Sequence, residues 1–462
     1  MISELEPKES QENVELNQLS FPQKSEFLSV LKIKNFMIFS LSQAVSLFGD
    51  KLNYMALLAM IAYFSERLEW QSSRALSYLS ITIALPTILL GPIAGAFVDR
   101  WNRLKVLIVC DFGRAVLVSI IPLVALKTAN LTFVYLIIFV VFLLGLFFNT
   151  SRMSIIPNLV ARRRLLSANA FINFIGRIAT FLGMVVGGLL VDWQLWSKVG
   201  IRPSWSAGFY LDGLSYLISV LALGFIALRS PLVTQINKKT LQEFKPEIIS
   251  VARGQVKNFL NEILLALRFI KSSPFVLLVF ASIMIMVLMG AGTFILLIPY
   301  IQAPTIKMGL GWGTKGVSIV LAAGAVGLVI SSMVYGILGH RINKYYLLPV
   351  SFIIMALIIM IMPFTNRFWI ITPLAFLTGL FLSPVFIAQD TILQEIVPSE
   401  IRGKIFSARE WVLHLTFAGC SVLIGELSVY LNRQVFLLII GIGAILSNAL
   451  LLSFIQRSYQ KK

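Results

Sequence analysis

Histidine and cysteine are almost missing from this chain, with two of each in 462 residues. Cys110 and Cys420 both fall inside apolar stretches, so neither a disulfide framework nor a cysteine metal cluster is expected. His340 and His414 are too few and too far apart in sequence for a metal site. Charge is scarce too: 13% of residues against about 25% in soluble domains. No Gly-x-x-x-x-Gly-Lys-Ser/Thr run occurs, which excludes a P-loop pump driven by this chain itself. No clustering of His with Asp, or Ser with His, marks one end of the apolar segments, so a membrane-embedded lipid-modifying enzyme is a remote alternative. A non-transporting scaffold is another, and it predicts no continuous central cavity. No enzyme activity, metal or cofactor is expected. The first 30 residues are polar and lack an apolar h-region, which argues against a cleaved signal peptide.

What the chain has in abundance is apolar sequence: 58% of residues, with a mean hydropathy of +0.86. Twelve stretches are long enough to cross a bilayer, at roughly 20 residues each. They lie near 36–64, 75–97, 106–126, 131–155, 168–191, 207–228, 274–300, 316–338, 346–364, 369–392, 406–428 and 434–456. Helices are required, because lipid offers the backbone no hydrogen-bond partner. The expected fold class is an all-α integral membrane protein, with twelve transmembrane helices in two pseudo-symmetric six-helix halves.

The net charge of +18 does not point to nucleic acid, because the basic residues concentrate in alternate loops. With the N-terminus inside, the inner loops and tails carry 25 Lys and Arg and the outer loops 9. The positive-inside rule then places both termini in the cytoplasm of a plasma (inner) membrane. The expected parts are a polar tail (1–35), a first bundle (36–228), a basic linker (229–273), a second bundle (274–456) and a short tail (457–462). Within the linker, Phe259, Ile263, Leu264, Leu267 and Ile270 form an amphipathic helical pattern.

The duplication shows in one loop. Gly95-Ala-Phe-Val-Asp99-Arg100-Trp-Asn102-Arg103-Leu-Lys105 separates two apolar segments, and Gly336-Ile-Leu-Gly-His340-Arg341-Ile-Asn343-Lys344 does so 241 residues later. Gly95 aligns with Gly336, Arg100 with Arg341, Asn102 with Asn343 and Arg103 with Lys344. Two such halves joined by a basic loop form a transporter architecture.

These residues resemble the major facilitator superfamily. Its signature after the second helix is matched by Gly95, Asp99, Arg100, Arg103 and Lys105, with Asn102 where glycine is usual. Ile156-Pro157-Asn158-Leu159-Val160 and Leu166-Ser167-Ala168-Asn169-Ala170, with Gly49-Asp50-Lys51 and Asp111-Phe-Gly-Arg114, look like the subgroup of macrolide-efflux permeases, the enterobactin exporter and lysophospholipid transporters. The resemblance implies the major facilitator fold. It also implies that Asp99 and Arg100 link helix 2 to helix 11 in the outward-open state. The implied activity is proton- or cation-driven export of a small amphipathic compound by a monomer in the bilayer, with lysophospholipid flipping as the alternative.

Charges inside spanning segments cost roughly 2.5–3.5 kcal/mol each on insertion scales, so each needs a reason. Asp50 falls near mid-membrane with Asn53 one turn on. It is either a coupling site or a folding pair with Lys51 or a neighbouring helix. Asp111 and Arg114 share a helix face and suit a gate network with Arg152 and the Asp99 loop. Arg177 either faces the cavity for an anionic substrate or pairs with Asp50. Asp212, Asp390, Arg409 and Glu410 fall nearer helix ends, as interfacial or gate groups.

Overall fold

The computed structural model describes residues 30–67, 71–161, 164–229, 264–304 and 309–460. Most of the expected polar tail, 1–29, and most of the expected linker, 230–263, lie outside these residues. Among the described residues are twelve membrane-length helices: α1 Lys34–Arg67, α2 Ser72–Arg100, α3 Arg103–Thr128, α4 Leu131–Leu159, α5 Leu165–Val191, α6 Ser206–Arg229, α7 Pro274–Gln302, α8 Gly313–Leu338, α9 Lys344–Ile361, α10 Phe368–Ile396, α11 Ser399–Leu427 and α12 Arg433–Gln460. All twelve are apolar and long enough to cross a membrane. Each expected segment is there. Most ends run past the apolar run, many by one to four residues, because a helix continues until a cap or turn stops it.

The even number of crossings puts the start of α1 and the end of α12 on one face, here the terminal face, opposite the far face. Packing follows a repeat. In the first half α1 packs on α5 and α6, α3 on α4 and α6, and α2 on α4. In the second half α7 packs on α11 and α12, α9 on α10 and α12, and α8 on α10. Adding six to each helix of the first set gives the second. Between the halves α2 meets α11 and α5 meets α8, again a symmetric pair.

The duplicated loop is a helix-start device. Asn102 accepts the Lys105 amide at 3.1 Å, and its counterpart Asn343 accepts the Tyr345 amide at 3.0 Å, so each caps the helix that follows. Arg103 donates to the Ser154 carbonyl at 2.8 Å, tying the start of α3 to α4. Lys344, its counterpart, forms an ion pair with Glu395, tying the start of α9 to α10. Ser154 and Glu395 are separated by the same 241 residues.

The halves touch toward the far face. Arg74 of α2 donates from Nε to Glu426 Oε1 of α11 at 2.9 Å, and Tyr78 donates to the same oxygen at 2.6 Å. Asp192, just past α5, accepts the Lys315 amide in the first turn of α8 at 2.8 Å. Trp411 of α11 donates to the Ile88 carbonyl of α2 at 3.3 Å, near mid-membrane. One apolar core joins both halves; in the first half it lies on the far side, and in the second it runs the length of the bundle. Toward the terminal face the first half keeps a separate cluster of Phe36, Phe39, Leu104, Leu107, Phe148 and Ile155. The α8 stripe that meets α5 at Ser318 continues to Val329, Met333 and Gly336. There it stands exposed, and a Cβ built on Gly336 finds no atom within 4 Å. The halves are closed at the far face and parted toward the terminal face.

Candidate functional site

Asp50 stands at the middle of the 34-residue α1. It accepts a short hydrogen bond from the Tyr216 hydroxyl of α6. Arg114 of α3 reaches it with Nη1 at 3.8 Å, and the same nitrogen is 3.4 Å from the Tyr216 oxygen. The other end of the guanidinium forms a close ion pair with Asp111, one turn back on α3. The Arg114 guanidinium is sandwiched between the Phe148 and Tyr216 rings, 4.3 Å from each centroid. Such stacking suits a weakly hydrated, planar cation in a buried site. Asp111 is fully buried, while the Asp50 side chain is 31% exposed. The cluster is therefore sealed on one side and open to solvent through Asp50.

A third carboxylate joins these two. Asp212 of α6 is fully buried and lies beside Asn53, Ser215, Asp50 and Arg114. Its Oδ1 accepts from the Ser215 hydroxyl at 3.2 Å. A Cβ on Gly49 would collide with Ser215 Oγ and stand 2.5 Å from Asp212 Oδ1. Glycine is what lets α1 come this close to α6. Arg152 of α4 stands near Asp50 and Arg114.

Several sequence expectations land in this cluster and others do not. Asp50, Asn53, Asp111, Arg114 and Arg152 are brought together. The contacts of Asp111 and Arg114 run to α1, α4 and α6 of the same half, rather than across a gate between halves. The side chains of Gly95, Asp99 and Arg100 lie outside the described residues. Arg103 ties α3 to α4, and Arg341 is exposed. The suggested Asp50–Arg177 pair is replaced by Asp50–Arg114. Arg177 is exposed. It lies eleven residues before Gly188, within about 20° of the same direction on a helix of 3.6 residues per turn. Gly188 touches α8, so Arg177 is turned toward the second half where the halves part.

Asp212, expected near a helix end as an interfacial or gate group, lies in the second turn of α6 but is fully buried. Neither its partner Ser215 nor Tyr216, the partner of Asp50, is among the residues expected from sequence. The Asp-Gly-x-Ser-Tyr sequence places Asp212, Ser215 and Tyr216 at i, i+3 and i+4, which is one face of a helix. That spacing was the available signal. In the second half Arg409 is buried between Asp390, at 3.2 Å, and Glu410, at 2.5 Å. Both acids there are exposed by more than 40%.

The fold and this arrangement define a membrane transporter built from two six-helix units. The sequence model of the Major Facilitator Superfamily matches residues 39–303 and 283–462, and the chain belongs to that superfamily. It is similar to BacE of Bacillus subtilis, described as a candidate bacilysin exporter, at 24% identity over 386 residues, covering 83% of this chain and 86% of BacE. It is similar to macrolide efflux protein A of Streptococcus pyogenes at 22% identity over 391 residues, covering 83% and 86%. Among solved structures, the nucleoside transporter NupG superposes with a TM-score of 0.63 at 13% identity, covering 90% of this chain and 99% of NupG. At that identity the likeness is one of fold.

Proposed function

We propose that this chain is a proton-coupled exporter of small amphipathic or hydrophobic compounds, working by alternating access in a bacterial-type plasma membrane with both termini cytoplasmic. One observation carries the proton coupling: Asp50, a carboxylate at mid-membrane, is open to solvent on one side and tied to the buried Arg114 on the other. A carboxylate so placed can exchange a proton with water and report its charge to the helix packing through Arg114. The efflux direction is supported by the names of the two relatives. On this reading the far face is extracellular, and the structure is the inward-open member of the cycle.

The test uses full-length protein in liposomes with an imposed pH gradient and a labelled macrolide, erythromycin, as probe. Asp50→Asn should lose gradient-driven accumulation and keep exchange of labelled for unlabelled probe. Undiminished gradient-driven accumulation removes Asp50 from the mechanism. One observation favours a second reading: Arg177 is exposed on the face turned to the second half, where a guanidinium would hold a phosphate. Fluorescent lysophosphatidylethanolamine in the same liposomes separates lipid flipping from drug export.

A further inference from the structure

Asp192 stands where α5 meets α8 at the far face, and a cavity lies on each side of it. The inner one is lined by Ala59, Tyr63 and Trp205 among others, so it opens beside α1. The outer one, of about 660 Å³, is lined by Val186, Leu189, Trp193, Lys198 and Lys315 beside Asp192. Helix geometry gives its direction. Gly183 and Gly187 touch α1, and Gly188 touches α8. At 3.6 residues per turn, Ile178, Leu182, Val186, Leu189 and Trp193 gather about a third of a turn past the α8 contact, on the side away from α1. Ile178, Leu182, Leu189 and Trp193 are exposed. Among the described helices α5 packs chiefly on α1 and α8, which leaves this stripe to the bilayer. The outer groove therefore opens to lipid at the far end of the span.

Its polarity is layered along the membrane normal. Val186 and Leu189 lie in the last two turns of α5. Trp193 and Trp196 follow, edge to face at 6.3 Å, the residue type that anchors at headgroup level. Trp196 Nε1 donates to the Leu190 carbonyl at 2.7 Å, which ties the short helix Leu195–Lys198 back onto the end of α5. Lys198 ends that helix, and Lys315 lies in the first turn of α8, in the other half. Both lysines are exposed, and among the described residues neither ammonium has an ion-pair partner. Asp192 Oδ2 is taken by the Lys315 amide, and against its one negative charge the two lysines leave the lining one net positive charge. An apolar wall below two ammoniums matches a molecule with acyl chains below a phosphate. We propose that this outer groove binds an anionic phospholipid of the far leaflet, its phosphate held by Lys198 and Lys315 and a chain laid along Val186 and Leu189. The lipid is bound and not carried, so the site is independent of what the protein exports, and it lies at the opposite face from Arg177. Its two lysines come from different halves, so the lipid spans the α5–α8 contact from the bilayer side.

The experiment is native mass spectrometry of the full-length protein released from nanodiscs that hold equal amounts of phosphatidylglycerol and phosphatidylcholine. The last lipid shed on activation should be phosphatidylglycerol. Lys198→Gln and Lys315→Gln should each lower its preference over phosphatidylcholine about 5-fold, and Lys198→Arg and Lys315→Arg should keep it. Leu189→Trp fills the groove without changing charge and should also lower retention. Lys127→Gln removes an exposed lysine at the far end of α3, outside the groove, and should change nothing. Equal retention of the two lipids, or a preference that survives loss of both Lys198 and Lys315, overturns the proposal. So does an equal loss in Lys127→Gln, which would make the preference one of overall charge. Glycerol 3-phosphate has the phosphate without the chains and should not displace the lipid; displacement by it would mark an anion site and overturn the assignment to lipid.

Discussion

Gly188 is where a single methyl group should shift the balance between the two faces. It lies near the far end of α5, against α8 of the other half. A Cβ there would collide with the Ser318 side chain and stand 2.9 Å from the Thr314 carbonyl oxygen. The carbonyl belongs to backbone and cannot swing aside. Overpacking of this kind costs about 1–3 kcal/mol. In an ordinary core that cost would fall on the folded state. On the alternating-access reading it falls on one conformation, because α5 and α8 belong to different halves and would separate when the far face opens. Gly188→Ala should therefore raise the far-open to far-closed ratio about 5- to 150-fold. The assay is electron–electron spin distance measurement on full-length protein, with labels on the far ends of α5 and α8 after Cys110 and Cys420 are replaced by serine. The internal control is Gly183→Ala. Its Cβ would stand 2.6 Å from the Phe48 carbonyl oxygen of α1, inside the first half. It should lower the melting temperature and leave the distance distribution alone. Ser318→Gly, which removes the colliding side chain, should pull the Gly188→Ala distribution part of the way back. An unchanged distribution in Gly188→Ala, or the same shift from Gly183→Ala, refutes the claim that this contact distinguishes the two states.

Three further outcomes follow from the same geometry. Removing the Arg114 side chain charge, as in Arg114→Met, strands the fully buried Asp111; breaking such a pair costs about 3–5 kcal/mol, read as a lower melting temperature, and Asp111→Asn on top should recover part of the loss. Asp192→Ala removes a hydrogen bond to the first turn of α8 supplied by the other half. By analogy with an N-cap this is worth about 1 kcal/mol, and the far-face distances should shift toward the open population by a smaller amount than in Gly188→Ala. Glu426→Gln should widen the far-face distances between α2 and α11, and the exchanged pair Arg74→Glu with Glu426→Arg should narrow them again. A double exchange no better than the single change would make the Arg74–Glu426 pair incidental.

The twelve spans were legible because each is a run of apolar residues too long for anything but a crossing helix, and the sheer length of α1 or α7 needed no tertiary knowledge. The duplication was legible from one loop, and its physical cause is plain in the structure: Asn102 and Asn343 each cap a helix, and Arg103 and Lys344 each pin that helix to the next. The buried cluster was half legible. Asp50 and the Asp111–Arg114 pair stood out as charges in apolar sequence, and helix spacing joined the last two. Sequence alone could not join Asp50 to Arg114, since that requires knowing that α1 and α3 both pack on α6. Asp212 was misplaced for a related reason. Counting residues from the nearest helix end gives depth along an axis, but burial depends on the neighbour, and Gly49 on α1 is what closes over it. Arg177 was rightly marked as unusual, yet its direction became readable only once Gly188 fixed which face of α5 meets α8.

The scaffold is symmetric and the chemistry is not, and that difference bears on mechanism. Every principal helix pair of the first half recurs in the second, so rocking of one unit on the other needs no special hinge in either. The buried ionisable groups Asp50, Asp111, Arg114 and Asp212 do not recur, since Ala291, Phe352, Met355 and Ser453 stand at the corresponding positions. In the first half Asp111, Asp212 and Arg114 are buried and interlocked among α1, α3 and α6, where a change of charge must alter packing inside that unit. In the second half Asp390 and Glu410 are largely exposed around Arg409, where solvent screens the same change. On the proton-coupled reading, a proton taken up by the first half acts on α1, against which α5 packs closely through Gly183 and Gly187, and α5 is the helix that presents Gly188 to α8. The route from the buried carboxyls to the far-face contact thus consists of two tight helix interfaces, α6 to α1 and α1 to α5. If it operates, Gly49→Ala, which wedges α1 from α6 at Asp212, should change the far-face distances between α5 and α8 despite lying in the middle of the membrane. Distances that respond to Gly188→Ala but stay fixed in a folded Gly49→Ala variant would show that charge in the first half reaches the second by some other path.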